Sequence, residues 1–205
     1  MNPVKKNYES AIELMQNGGV VALPTDTAYC LAADIHIDGA VRKVFEIKNR
    51  PFDKALPIFL PGKEALKSVA IDIPDVAWAL ADKFWPGGLT IILKKHPSLL
   101  TLAVSGGNTL AVRVPDHPIP LDVIASIGSP ITGTSANIAG QTSPVTADEV
   151  YRQIGDRVDM IVDGGRCPAS ELSTIVDLTV SVAKVLRDGA ITKEQIEKAC
   201  GIVLK

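Results

Sequence analysis

Helical and strand-like segments follow one another irregularly along this chain, and this irregularity constrains the fold more than any other feature of the sequence. Residues 8–17 carry apolar side chains at helical spacing before a Gly-Gly pair, which predicts a helix with a glycine stop. Residues 20–23 read as a short buried strand ended by a proline, and strand patterns at 173–178 and 182–186 follow each other without a helix between them. Because strict βαβα alternation is absent, we predict an α/β fold with a mixed sheet.

The remaining periodic segments support the same class of fold. Apolar periodicity, glycine stops and two capping-box patterns predict further helices: one capped by Asp38, and others over 74–84, over 118–127, between Thr146 and Gly155, and after Thr192. Further strands are predicted at 56–60, 89–94, 109–114, 130–132 and 158–162.

Length and composition limit the number of domains and the cellular setting. The 205 residues contain no internal repeat and no long linker, so we expect one domain over 1–205. Although 46% of the residues are hydrophobic, none of the apolar runs approaches the ~18 residues of a membrane span, and the N-terminus lacks an apolar export signal. Cys30, Cys167 and Cys200 are odd in number and scattered, which favours a reducing cytoplasm over a disulfide framework.

Charge is balanced overall but not along the chain. The 21 Lys and Arg against 23 Asp and Glu give a net charge of −2, which excludes a protein that coats nucleic acid with a basic surface. Residues 42–67 nevertheless contain seven basic and three acidic side chains, whereas residues 146–177 contain seven acidic and three basic ones. Either these are solvated helix faces or the first stretch contains a local anion site, and charge alone leaves both interpretations open.

Three polar turns are candidates for a functional site. The turn at 24–29 places hydroxyls and a carboxylate at the end of a buried strand, Lys48 and Arg50 lie at the end of a predicted helix, and Ser135 and Asn137 follow a strand. Such groups can bind phosphate, because lysine supplies a point charge and arginine grips two oxygens. Each turn also has a purely local explanation, namely an Asx turn, complementarity to the helix dipole, or turn geometry.

Several common motifs are absent. The chain has neither a Gly-x-x-x-x-Gly-Lys-Ser/Thr loop nor a Gly-x-Gly-x-x-Gly fingerprint. His36, His96 and His117 lack metal-ligand spacing, so we expect no metal site built by the protein itself.

Taken in order, eight segments between Gly18 and Gly189 resemble the YrdC/Sua5 family, the threonylcarbamoyl-AMP synthases, in their short single-domain form. The segments that carry this resemblance are GGVVALPTDTAYCLAAD, IKNRP, WPGGLTIIL, TLAVRVPDHP, PITGTSANIAGQTSP, VDMIVDGG, STIVDL and VLRDGAIT. The family's Lys-x-Arg and Ser-x-Asn signatures are both present. The resemblance implies a YrdC-like fold: one domain with a twisted, mixed and largely parallel sheet and flanking helices around a concave, basic-lined pocket.

The resemblance also implies an activity and its substrates. Family members are nucleotidyltransferases: threonine and bicarbonate yield N-carboxy-threonine, which attacks the α-phosphate of ATP to give threonylcarbamoyl-AMP and pyrophosphate for the t6A37 modification of tRNA. Mg²⁺ would arrive with ATP. The implied partners are the other proteins of the t6A pathway. The resemblance implies a cytoplasmic location and no association with a membrane.

Matching positions imply the site residues. The catalytic pair would be Lys48 and Arg50, and threonine would be held by Thr25, Arg113 and Ser173. The residues expected to contact ATP are Lys48, Arg50, Ser135, Asn137, Ser143 and Arg187.

Four residues depart from the family pattern on the threonine side and therefore bear on the choice of amino acid: Cys30, Ala55, Phe59 and Leu172.

Two alternative functions stay open at this stage. One is a paralogue that binds tRNA or double-stranded RNA, or associates with the ribosome, without synthase activity. The other is a related carbamoyl transferase domain.

Overall fold

The structure is a computed structural model that describes residues 4–5, 7–168, 171–201 and 203–205. Within these ranges the helices are α1 Glu9–Gln16, α2 Asp38–Lys48, α3 Leu66–Val69, α4 Asp75–Phe84, α5 Pro118–Ile127, α6 Ala147–Ile154 and α7 Lys193–Cys200. The strands are β1 Val4–Lys5, β2 Val21–Leu23, β3 Cys30–Ala32, β4 Ile58–Phe59, β5 Ala70–Ile71, β6 Leu89–Lys95, β7 Thr109–Arg113, β8 Ile131–Thr132, β9 Thr134–Ser135, β10 Met160–Val162, β11 Thr174–Asp177 and β12 Lys184–Arg187.

These strands form two sheets. The first has the order β1-β10-β2-β3-β9, and the second has the order β12-β11-β6-β7-β4-β8 with β5 paired to β6. An isolated bridge between Asp34 and Ile131 joins the sheets where the chain leaves β3. The Thr132 hydroxyl strengthens this junction, because it donates to Leu31 O at 2.8 Å and accepts from Ala33 N at 3.0 Å.

The predicted α/β fold with a mixed sheet and flanking helices is confirmed, but its largely parallel character is wrong. Six of the ten described strand pairings are antiparallel, and four are parallel. The β2–β3 pair shows the physical reason. Only residues 24–29 connect these strands, whereas a parallel neighbour needs a crossover of about a dozen residues or more.

The helix ends agree closely with the capping signals. Thr192 accepts from Gln195 N at 3.2 Å while Gln195 Oε1 accepts from Thr192 N at 2.8 Å, which completes the predicted capping box of α7. Asp38 was expected to cap α2, but Ile37 occupies the cap position and Asp38 lies in the first turn. None of the helices in the described ranges combines the length and the apolar character that crossing a membrane requires.

Strand β6 shows how the core positions a cavity. Leu89, Ile91 and Leu93 are at most 1% exposed and belong to the larger apolar core cluster. Thr90 and Ile92 alternate with them and line a cavity on the opposite face of the strand. The second sheet therefore buries one face in the core and presents the other to the candidate site.

Candidate functional site

One cavity of about 410 Å³ is lined by strands of both sheets and collects most of the predicted site residues. Those that line it are Thr25, Lys48, Arg50, Arg113, Ser135, Asn137, Ser173 and Arg187. Ser143 does not line this cavity: it lines a separate space of about 460 Å³ beside Glu149 and Gln153.

Lys48 is the last residue of α2, and its ammonium group holds the turn that carries Ser135 and Asn137. Its Nζ donates to Ser135 O, to Asn137 O at 2.8 Å and to Asn137 Oδ1 at 3.0 Å, which uses its three protons. The residue is only 2% exposed. Burial, with a smaller contribution from the charge of Arg50, lowers the pKa of Lys48 to about 8. Asn49 ends the helix in the left-handed conformation, with φ of 50°.

Arg50 follows that turn and is anchored by backbone carbonyls. Its Nε donates to Lys54 O at 2.8 Å, and its Nη2 donates to Ala55 O at 2.7 Å. Burial lowers the pKa of Arg50, and the nearby Asp53 opposes this effect. Three of its five N–H groups have no acceptor among the described residues, so the guanidinium keeps donors for a ligand in the cavity.

Ser135 and Asn137 form a compact polar corner. Ser135 Oγ donates to Asn137 Oδ1 at 2.6 Å, while Asn137 Nδ2 donates to Gln141 O. Strand β9 is fixed against β3 by the Cys30–Ser135 pairing. This corner therefore consists of hydroxyl and amide groups whose positions are set by backbone pairing and by Lys48.

The turn at 24–29 contains its own hydrogen-bond network, as its local interpretation predicts. Thr25 Oγ1 donates to Ala28 O at 2.7 Å and accepts from Thr27 N at 3.0 Å. Asp26, the carboxylate of this turn, accepts from Arg113 Nη2 at 2.5 Å and from Asp116 N at 3.1 Å. The turn thus both stabilises itself and fixes a cavity arginine.

Arg113 is 3% exposed and held by three acceptors. Besides the ion pair with Asp26, Nε donates to Gly87 O at 2.8 Å and Nη1 donates to Thr27 Oγ1 at 2.9 Å. The guanidinium carbon lies 5.6 Å from the centroid of the Phe59 ring. The other two of its five N–H groups have no acceptor among the described residues, so they are available for a carboxylate in the cavity.

Arg187, the last residue of β12, holds Ser173. Its Nε donates to Ser173 O and its Nη2 donates to Ser173 Oγ, both at 2.9 Å. Burial lowers the pKa of Arg187, and the charge of Arg113 lowers it further. Thr90 is a cavity residue that was not predicted from the sequence: its Oγ1 lies 2.8 Å from Ser173 Oγ. A lone hydroxyl in the apolar run LTIIL was the available signal.

The electrostatics of the cavity favour anions. Lys48, Arg50, Arg113 and Arg187 line it, and its described lining includes neither an aspartate nor a glutamate. The burial that lowers the pKa of three of these cations reflects charge removed from water. The attraction of a bound polyanion offsets the cost of burying these cations, so the arrangement is suited to phosphate and carboxylate groups.

The four departures from the expected pattern also lie in this cavity, because Cys30, Ala55, Phe59 and Leu172 are all part of its lining. Burial raises the pKa of Cys30 to about 12, so its thiol is neutral at physiological pH. Gly133 packs directly on Phe59: a Cβ atom at Gly133 would lie 2.2 Å from a carbon of that ring.

Outside the cavity, four of the five basic side chains of residues 42–67 have local contacts. Lys43 pairs with Asp159 at 2.5 Å and Lys63 pairs with Asp82. The Arg42 guanidinium lies 5.4 Å from the Phe52 ring centroid, and Lys67 Nζ lies 5.8 Å from that of Trp78. These cations are shared with anionic or aromatic neighbours, which weakens the case for one continuous basic surface.

Comparisons with known proteins agree with the resemblance in the sequence. Residues 13–189 match the family of Sua5, YciO and YrdC, which is described as "Telomere recombination". A protein of Bacillus subtilis (strain 168) named threonylcarbamoyl-AMP synthase is 39% identical over 93% of this chain, and the match covers 56% of that relative. A Vibrio campbellii protein of the same name is 32% identical over 90% of this chain and is covered completely.

Solved structures show the same fold. Pyrococcus abyssi Sua5, described as complexed with L-threonine, matches with a TM-score of 0.91 and 38% identity over 96% of this chain and 58% of its own. Escherichia coli YciO matches with a TM-score of 0.80 and 26% identity over 88% of each chain. The chain thus spans little more than half the length of its B. subtilis and P. abyssi relatives.

Proposed function

Because the chain belongs to the Sua5/YciO/YrdC family, we propose that it is an L-threonylcarbamoyladenylate synthase. In the proposed reaction, threonine and bicarbonate condense to N-carboxy-threonine and water. A carbamate oxygen then forms a bond to the α-phosphorus of ATP while the bond from that phosphorus to the bridging oxygen of the β-phosphate breaks. Threonylcarbamoyl-AMP forms and pyrophosphate leaves, which makes the enzyme a nucleotidyltransferase.

One observation carries this proposal: four buried or half-buried cations converge on a single cavity in a chain whose net charge is −2. Phosphoryl transfer requires positioned donors that stabilise negative charge as it moves onto the leaving group. The cations are fixed by protein acceptors before any ligand binds, so little reorganisation is needed when the charge develops.

We assign the ATP side to Arg50, Arg187 and the Ser135–Asn137 corner. Arg50 keeps donors for phosphate oxygens, and the corner supplies neutral donors and acceptors for the phosphates or the sugar. Lys48 contributes positive charge and holds the corner in place. Mg²⁺ enters as part of the MgATP substrate. Ser143, which the resemblance also implies for ATP, lines the separate space beside Glu149 and Gln153 and is left out of this assignment.

We assign the threonine side to Thr25, Arg113 and Ser173. The two uncommitted N–H groups of Arg113 match the two oxygens of an amino-acid carboxylate. Ser173 lines the same cavity, is held by Arg187 and offers one hydroxyl. A structure of P. abyssi Sua5 described as a complex with L-threonine, 38% identical to this chain, supports threonine as the amino acid.

The product places the protein upstream of tRNA modification. Threonylcarbamoyl-AMP is a mixed anhydride of a carbamate and a phosphate, so a second protein must pass the threonylcarbamoyl group to tRNA. Partner proteins of the t6A pathway and a cytoplasmic location belong to the proposal. Direct RNA binding without synthase activity has little support here, because four of the five basic residues of 42–67 outside the cavity contact anionic or aromatic neighbours.

The test is pyrophosphate release from ATP, L-threonine, bicarbonate and Mg²⁺. We expect pyrophosphate release that requires both threonine and bicarbonate. Pyrophosphate release at the same rate without threonine would refute the proposal. Arg50→Ala should weaken ATP binding by about tenfold or more, because a charged donor is lost. Arg42→Ala is the matched control: it removes an arginine from the same stretch that stacks on Phe52 outside the cavity, and it should leave ATP binding unchanged.

A further inference from the structure

Three side chains from neighbouring strands form a hydrogen-bonded cluster on the wall of the cavity. Thr90 lies on β6, Ser173 directly precedes β11, and Arg187 ends β12. The strand register places Thr90 and Arg187 on the two sides of Ile175. Thr90 is 2% exposed and Ser173 is 5% exposed, so water does not easily replace the contacts between them.

Chemistry fixes the direction of one of the two hydrogen bonds at Ser173 Oγ and leaves the other open. Arg187 can only donate, so Ser173 Oγ accepts from its Nη2. A serine hydroxyl has one proton and two acceptor positions, so one acceptor position and one proton are left. The 2.8 Å contact between Thr90 Oγ1 and Ser173 Oγ can be made with either atom as the donor. The direction of that contact decides whether the Ser173 proton is available to a ligand.

We propose that Thr90 is a positioning residue that donates to Ser173 Oγ and thereby orients the Ser173 proton towards an acceptor oxygen of the bound amino acid. This inference rests on the proposed function. A cavity lined by four cations selects ligands whose oxygens are acceptors, such as carboxylates and carbamates, and these oxygens need protons from the protein. With both acceptor positions of Ser173 filled, its proton has the ligand as its remaining partner.

The fold itself makes little use of the Thr90 hydroxyl. The backbone of Thr90 pairs in the sheet opposite Ile175, and the residues beside it, Leu89 and Ile91, are buried apolar side chains. Ser173 Oγ is the hydrogen-bond partner of Thr90 Oγ1 among the described residues. Valine has the same branched shape, so Thr90→Val removes the hydroxyl while preserving the packing.

The experiment measures KM for L-threonine and for ATP, together with kcat, in the pyrophosphate assay with the full chain. Thr90→Val should raise KM for threonine by roughly fivefold, the effect of one hydrogen bond, with little change in KM for ATP. Thr90→Ser restores the hydroxyl and should return KM for threonine towards the wild-type value. Thr132→Val is the control, since it deletes another buried threonine hydroxyl that is part of the sheet junction and outside the cavity.

A double-mutant cycle separates an action through Ser173 from a general structural effect. In a Ser173→Ala background, Thr90→Val should have no further effect on KM for threonine. An unchanged KM in the single Thr90→Val variant, or the same rise in both backgrounds, would overturn the inference. A wild-type protein without threonine-dependent pyrophosphate release would instead refute the proposed function, so the two failures are distinguishable.

Discussion

Replacing Lys48 with methionine removes one buried positive charge while keeping an unbranched side chain of similar length. The ammonium group lies in the protein interior, 2% exposed, among three acceptors of the Ser135–Asn137 turn. Burial opposes the charged form, and the acceptors favour it. The pKa of about 8, below the ordinary lysine value of 10.5, results from burial and, to a smaller extent, from the charge of Arg50.

This pKa difference sets the pH dependence of stability. Below pH 8 both the folded and the unfolded chain hold the Lys48 proton, so the contribution of this residue is constant. Between about pH 8 and 10.5 the folded chain releases the proton while the unfolded chain keeps it, so stability rises with pH in this window. The full difference corresponds to about 3 kcal/mol, because one pKa unit is about 1.4 kcal/mol.

The assay is urea unfolding of the wild-type protein and of Lys48→Met at several values between pH 7 and 10.5. Other groups that titrate in this range are present in both proteins and cancel in the difference between them. The wild-type free energy of unfolding should gain up to about 3 kcal/mol relative to the variant across the window. Lys54→Met removes an exposed lysine and controls for the loss of one charge. A difference that stays constant with pH would refute the argument that burial dominates at Lys48.

Two further substitutions test contacts within the cavity. Asp26→Asn removes the charge that fixes Arg113, and it should raise KM for threonine by about tenfold, since a hydrogen bond between charged groups contributes about 1.5–3 kcal/mol. Gly133→Ala would place a methyl group 2.2 Å from a carbon of the Phe59 ring, and it should lower the free energy of unfolding by about 1–3 kcal/mol in urea denaturation.

Matched controls exist for both substitutions. Asp159→Asn breaks the ion pair with Lys43 outside the cavity, and it should leave KM for threonine unchanged. An equal rise in KM for Asp159→Asn would contradict the role of Asp26. Gly39 lies on α2 with open space around its Cβ position, so Gly39→Ala should stabilise the protein by up to about 1 kcal/mol. A Gly133→Ala protein as stable as the wild type would show that the Phe59 ring can move aside.

Local sequence patterns were sufficient to predict those helices and strands whose ends are set by neighbouring residues in the chain. Helix α5 was predicted with its observed bounds, because proline at its first position and glycine after its last residue set both ends. Strand β3 was missed, because Cys30–Ala32 is short and lacks the β-branched residues that mark a strand. It forms because β2 on one side and β9 on the other supply its hydrogen bonds.

The same division holds for the candidate site. Lys48, Arg50, Ser135 and Asn137 belong to short motifs that are visible in the sequence, and the structure brings all four to one cavity. The sequence predicted Lys48 as a cation of the site but not its hydrogen bonds to the Ser135–Asn137 corner. The carbonyl oxygens that it binds are 87 and 89 residues away along the chain.

By itself the sequence determined the α/β class, the mixture of strand directions, the helix ends and the two short motifs, because spacing, capping and turn chemistry are local properties. Tertiary structure alone decided that six of the described strand pairings are antiparallel, that Asp26 fixes Arg113, and that Thr90 contacts Ser173. The residues of these last two pairs are 87 and 83 positions apart. Their contacts arise because two sheets bring distant strands to one cavity, where burial strengthens each hydrogen bond and makes an unpaired partner costly.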